Sequence, residues 1–163
     1  MRFCLFSIAL LLMLGCATTG QTTLSEKSLV GAWECGPISM HKGNLDLVLT
    51  TLTTYSPDLT FVSLSTSVMT FTGKAPITNK DQAYGTRSLK GDTMTFATKR
   101  VEFLSSSEKS ISRELGQKIN NDFLLLEPTS QSRIIHFDGK TSRSFLIEPM
   151  YKEAQVESSC RRI

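Results

Sequence analysis

Most of the residue patterns on which enzymes and nucleic-acid binders are built are missing from this chain. It has two histidines, His41 and His136, and no His-Glu-x-x-His, Cys-x-x-Cys or Gly-x-Ser-x-Gly motif. The signatures of metal hydrolases, dithiol oxidoreductases and serine hydrolases are therefore missing. Gly31, Gly36 and Gly43 are too widely spaced for a phosphate cradle and lack its strand-to-helix context. Charge of neither sign is massed: 18 Lys and Arg and 15 Asp and Glu are interspersed, which leaves no electrostatic footprint for a nucleic acid. Cys160-Arg161-Arg162 is a small basic end and reads as a solvated tail. There is one tryptophan, and there is no internal repeat, heptad run or low-complexity tract. No cofactor, metal site or catalytic residue is expected on these grounds. Glu102, Glu114, Glu127 and Glu148 lie in or beside expected strands and read as outward-facing, although they could converge in a barrel.

What is present is concentrated first at the N-terminus. Arg2 is followed by an apolar run from Phe3 to Leu14, then Gly15 and Cys16. The run is too short for a membrane-spanning helix, and the charge–apolar–small order is that of a secretion signal. Met13-Leu14-Gly15-Cys16 resembles the lipobox of bacterial lipoproteins, with Met13 where Leu is usual. The resemblance implies that residues 1–15 are removed and that Cys16 becomes a lipidated N-terminus. Several acyl chains, at ~0.8 kcal/mol per buried methylene, would hold the protein to a membrane. An ordinary signal cut near Ala17 is the alternative. Ala17 follows the cysteine where Asp would suggest inner-membrane retention in enteric-type bacteria. The expected location is thus the cell envelope, at the outer membrane where there are two. The expected partners are the lipid bilayer and either a small hydrophobic ligand or another envelope protein, with no nucleic acid.

Residues 16–163 form one domain by length. With Cys4 in the signal and Cys16 lipidated, Cys35 and Cys160 remain as a lone pair in an oxidising compartment, and a disulfide is the natural reading. Two free thiols, or a metal pair lacking its other ligands, are the alternatives. Ala17–Ser28 is polar, rich in Thr and Ser and without periodicity. It reads as a flexible tether with a reach of about 20 Å, and the folded part is expected to begin near Leu29.

From there the pattern is β. Strands are expected at Val30–Cys35, Leu45–Tyr55, Thr60–Phe71, Tyr84–Leu89, Thr93–Phe103, Phe123–Glu127, Arg133–Phe137 and Ser144–Glu148. Ser56-Pro57-Asp58, Lys90-Gly91-Asp92 and Asp138-Gly139 carry turn chemistry between them. Gly36–Asn44 and Gly73–Asp81 read as loops at a barrel rim, and Pro128 and Pro149 as strand ends. Ser105–Ile119 is open to two readings. Ser105-x-x-Glu108 fits a capping box and Ile111, Leu115 and Ile119 recur at helical spacing, but the same positions suit one face of a strand. Gly116 disfavours helix by about 1 kcal/mol, and Asn120-Asn121-Asp122 suits a hairpin turn, so strand is the expectation. Eight or nine antiparallel strands imply a closed barrel or a sandwich, closure removing exposed edges.

Leu29-Val30-Gly31-Ala32-Trp33 resembles the Gly-x-Trp opening of lipocalins and lipocalin-like bacterial lipoproteins. Thr54–Phe61 is similar to their aromatic-x-x-Asp-Gly-x-Phe hairpin, with Leu59 in place of Gly, and Gly85–Met94 is similar to their Gly-x-Trp-x-x-x-Gly-Asp-x-Leu segment, with Arg87 in place of Trp. The resemblance implies an antiparallel eight- or nine-stranded lipocalin-like barrel. Its interior would be apolar and open to a hydrophobic ligand, and Trp33 would pack across the closed end. The nine Phe and six Met either line such a pocket or fill the core. A filled barrel acting on a protein partner through its rim loops is the competing expectation.

Overall fold

The computed structural model describes residues 23–147 and 156–163. Eight strands follow one another in antiparallel order: β1 (Gly31–Lys42), β2 (Leu45–Tyr55), β3 (Thr60–Phe71), β4 (Ile77–Lys90), β5 (Thr93–Ser106), β6 (Thr129–Phe137), β7 (Thr141–Ile147) and β8 (Val156–Arg162). They close into a barrel in the order β1 through β8. Two helices are added, α1 (Glu26–Leu29) and α2 (Arg113–Leu126). The all-β class and the closed antiparallel barrel are as expected, with eight strands and an architecture compatible with a lipocalin-like fold.

Burial alternates along the strands with the period of a pleated sheet. In β2, Thr53 and Tyr55 are buried while Leu52 and Thr54 are exposed. The outer face carries cross-strand ion pairs such as Arg161–Glu34 and Arg143–Glu157, so it faces water. The turns use the residues that tight turns require. Gly43, Gly91 and Gly139 sit at positive φ in three of the hairpins. At the last, the Asp138 carboxylate accepts from the Thr141 and Lys140 amides at 2.5 and 2.8 Å. Those bonds hold its carboxyl well below the usual carboxylate range.

β1 to β5 run 11 to 14 residues, and within the described residues β6 to β8 run 7 to 9. Within those residues β6 pairs with β5 over Thr93–Ala97, and β8 pairs with β1 over Trp33–Cys35. One end of the barrel is closed by a floor. The β1–β8 seam is stapled where Cys35 and Cys160 face each other in register and form a disulfide.

The closed end is built around Trp33, which is 2 % exposed and donates from Nε1 to the Leu29 carbonyl at 2.8 Å. Burying a side chain of that size contributes on the order of 3–5 kcal/mol. The Arg162 guanidinium lies 4.7 Å from its ring centroid and donates to the Val30 and Ser28 carbonyls. Helix α1 is part of this floor, so residues from Ser25 on are ordered rather than tether. Ser25 and Ser28 cap each other, and Glu26 binds the buried Arg87.

Several expectations are corrected. Cys160-Arg161-Arg162 is not a solvated tail but the end of β8, paired with Trp33–Cys35 of β1. Gly36–Asn44 is not a loop: β1 continues to Lys42 past an irregularity between Cys35 and Ile38, where Gly36 at φ +103 and Pro37 leave the ladder without breaking the strand. Gly73–Asp81 is a loop only as far as Pro76, because β4 begins at Ile77. Phe123–Glu127 is not a strand, and Asn120-Asn121-Asp122 is not a turn. Both lie in or at the end of α2, whose N-cap is Ser112, accepting from the Leu115 amide at 3.2 Å, rather than Ser105. Pro128 accordingly separates a helix from β6 and does not end a strand. Glu148 and Pro149 lie outside the described residues.

The helix wins at α2 because of what β5 leaves unpaired. Above Ala97, β5 has no β6 partner, and the Gln117 carboxamide takes its place: it accepts from the Phe103 amide at 3.0 Å and donates to the Val101 carbonyl at 2.7 Å. Gly116 lies directly on the Phe103 ring, at a distance no Cβ could share. Glycine's propensity cost is thus offset by a close packing that only glycine permits.

Candidate functional site

The barrel interior holds a cavity of about 250 Å³, and the strands that line it give it two chemistries. At its base Tyr55 and Phe96 stack with ring centroids 6.1 Å apart, and Phe61 meets Phe96 edge-on at 5.4 Å. Such pairs add about 0.5–1.5 kcal/mol each beyond their burial. Above this base the walls are hydroxylic. Eight of the seventeen lining residues are Ser or Thr and none is charged. The aromatic base, with Ile38, Ala83, Leu146 and Val156, makes the interior largely apolar as expected, and small hydroxyl side chains at inward positions of β2, β5, β6 and β7 are set among them. A second void of about 40 Å³ lies between Trp33, Met94 and Ile134 in the floor.

Tyr55 joins floor and lumen. It is 8 % exposed, and desolvation pushes its pKa up to about 12 against the opposing field of Arg87. The Arg87 guanidinium sits 5.0 Å from the Tyr55 ring centroid and is bound by the Glu26 carboxylate. Sequence reasoning noticed Arg87 only as a departure from a motif. Its partner Glu26 lies 61 residues away, and no local pattern announces such a pair.

At the mouth, Asp81 accepts from Asn120 of α2 at 2.7 Å. Partial burial raises its pKa above the ordinary aspartate value, the Asn120 bond opposing that shift. Beside it the buried Asn79 Oδ1 has no hydrogen-bond partner among the described residues.

The residues singled out earlier do not assemble into a reactive centre. His41 pairs with Asp46 at 2.6 Å on an exposed strand end. His136 lies 3.7 Å from Asp138 on the outer face. Glu102 pairs with Arg100, Glu114 lies in the first turn of α2 and Glu127 caps its end. Among the described residues no three His, Cys, Asp or Glu side chains are placed to hold a metal ion. Cys16 lies outside the described residues. Cys35 and Cys160 are brought together, and their bridge forms part of the lumen wall.

Fold and site together define a closed eight-stranded antiparallel barrel with an uncharged internal cavity. No protein-family model matches the chain, and no curated protein matches its sequence.

Proposed function

We propose that this chain is a lipid-anchored envelope lipoprotein of lipocalin-like type whose barrel binds a small molecule without transforming it. The observation that carries the reading is the lumen, an uncharged cavity with an aromatic base. Pockets for small ligands are concave, largely apolar and furnished with a few orienting polar groups. The aromatic cluster supplies the apolar contact surface that such a ligand requires. Trp33 across the closed end and the lipobox-like Met13–Cys16 support the class and the anchor. Native mass spectrometry of the full chain, extracted gently from its host's membranes, tests the binding. A co-purifying mass shed on denaturation is expected, and a uniformly empty protein that takes up no added small molecule would overturn it. For the anchor, Cys16→Ser is expected to move the protein from the membrane to the soluble fraction, and an unchanged membrane fraction would refute lipidation.

Helix α2 favours a second reading, as an interaction module. Leu115, Ile119, Phe123 and Leu126 form an apolar stripe along it and are 44–76 % exposed, roughly 400 Å² of the kind of patch that marks an interface. Lys118 and Asp122 stand at its edge, one charge of each sign. An exposed apolar helix face of this size is self-complementary about a two-fold axis, so the occupant proposed is a second copy of this chain. Sedimentation of the wild type as a dimer, and of Phe123→Glu as a monomer, is the expected result. A monomeric wild type at high concentration would exclude it.

A further inference from the structure

Among the described residues the hydroxyl groups of the lumen are largely unspent, and they point to a ligand class. Resting on the reading that the lumen is a binding site, we infer that it takes an uncharged, polyhydroxylated ring of about monosaccharide size. Thr53 and Ser63 bond to each other at 2.8 Å. The hydroxyls of Thr51, Thr98, Ser130, Ser132 and Ser144, which also line the cavity, make no hydrogen bond with any described residue. They come from four strands, β2, β5, β6 and β7, and so stand on more than one side of the space.

An alkyl chain drawn into this space would meet its apolar lining but displace water from five hydroxyls and return nothing to them. A ligand rich in hydroxyls replaces those bonds. Each Ser or Thr hydroxyl both donates and accepts, as a sugar hydroxyl does, so the match does not depend on one orientation of each group. The absence of charge on the lining removes any preference for an anion or a cation. Below the hydroxyls, the faces and edges of Tyr55, Phe61 and Phe96 offer an apolar base. A pyranose-like ring has an apolar C–H face and a hydroxylated perimeter, and those two properties meet the base and the walls respectively. The volume agrees: about 250 Å³ is space for roughly eight waters, enough for a single six-membered ring and too little for a lipid.

The test is saturation-transfer NMR on the full chain in detergent, with glucose, N-acetylglucosamine and myo-inositol as probes and decanoate as the apolar control. Ligands of this size are expected at millimolar Kd, so the probes are taken to about 10 mM. At least one hydroxylated ring is expected to receive saturation from the aromatic protons of the base, with decanoate weaker. The paired substitution Thr51→Val with Thr98→Val keeps side-chain volume and strand propensity, and is expected to weaken the ring at least tenfold while leaving decanoate unchanged or tighter. Decanoate outcompeting every ring in the wild type would overturn the ligand class while leaving a binding lumen in place. Ring binding indifferent to the paired substitution would overturn the assignment to these hydroxyls. No transfer to any of the four probes would overturn both the class and the binding reading.

Discussion

Tyr55 packs its ring against the Arg87 guanidinium and Phe96 and is largely withdrawn from solvent. Its folded-state pKa is pushed up to about 12 from an unfolded value of 10.0. The folded protein therefore binds the proton more tightly than the unfolded chain, and stability falls as pH rises from about 10 towards about 12. Spectrophotometric titration should show one tyrosine ionising near pH 12 in the native protein, a phase that Tyr55→Phe removes. Gly116 offers a second test. Alanine gains about 1 kcal/mol of helix propensity, but its Cβ would stand about 2.5 Å from the Phe103 ring, and overpacking of that kind costs about 1–3 kcal/mol. Gly116→Ala is expected to lower the midpoint of chemical denaturation, with an unchanged slope. At this scale Trp33, Cys35 and Cys160 were legible, because a motif and a compartment each single out such residues. Leu59 was legible in a different sense: standing where the resembling motif has Gly, it adopts φ +67, the backbone conformation that Gly favours. The Arg87–Glu26 pair was not legible, since only the closed barrel brings the two side chains together.

Helix α2 is held by its side-chain contacts to β5 more than by its own propensity. Its packed positions are Gly116, Gln117, Asn120 and Leu124, while its apolar stripe remains exposed. Gln117 alone satisfies two backbone groups of β5. Gln117→Leu should leave those groups unpaired at a cost of about 1–3 kcal/mol. The Phe103 amide is expected to lose hydrogen-exchange protection, while the amides of β2 and β3, on the far wall, keep theirs. The sequence around α2 misled for a physical reason. Ile111, Leu115 and Ile119 satisfy a period of two and a period of 3.6 together, and the choice was made by a missing β6 partner that no local pattern encodes. The strands β2, β3 and β7 and the Asp138-Gly139 hairpin were legible because their alternation and turn residues act locally. β1 and β4 were foreshortened because a Gly-Pro step and a polar run resemble loops even where the ladder carries on through them.

Barrel closure depends on the shortest pairing among the described residues. β1 and β8 are matched over three residue pairs, and the disulfide sits at the inner end of that match. The bridge closes a loop of 125 residues, for which chain entropy gives an upper figure of about 4–5 kcal/mol. Cys35→Ser with Cys160→Ser is expected to lower Tm by about 8–15 °C, and Trp33 fluorescence should change first, since its strand forms one side of the seam. Closure itself was legible from strand number and antiparallel order. The meeting of both chain ends at the floor was not, because only the closed barrel brings them together. That meeting has a geometric outcome. α1, the start of β1 and the end of β8 all converge on the floor, and the lumen opens at the opposite end, some 25–30 Å away for tilted strands of this length. A lipid anchor, as proposed at Cys16, would therefore join the barrel on its floor side, opposite the mouth of the lumen.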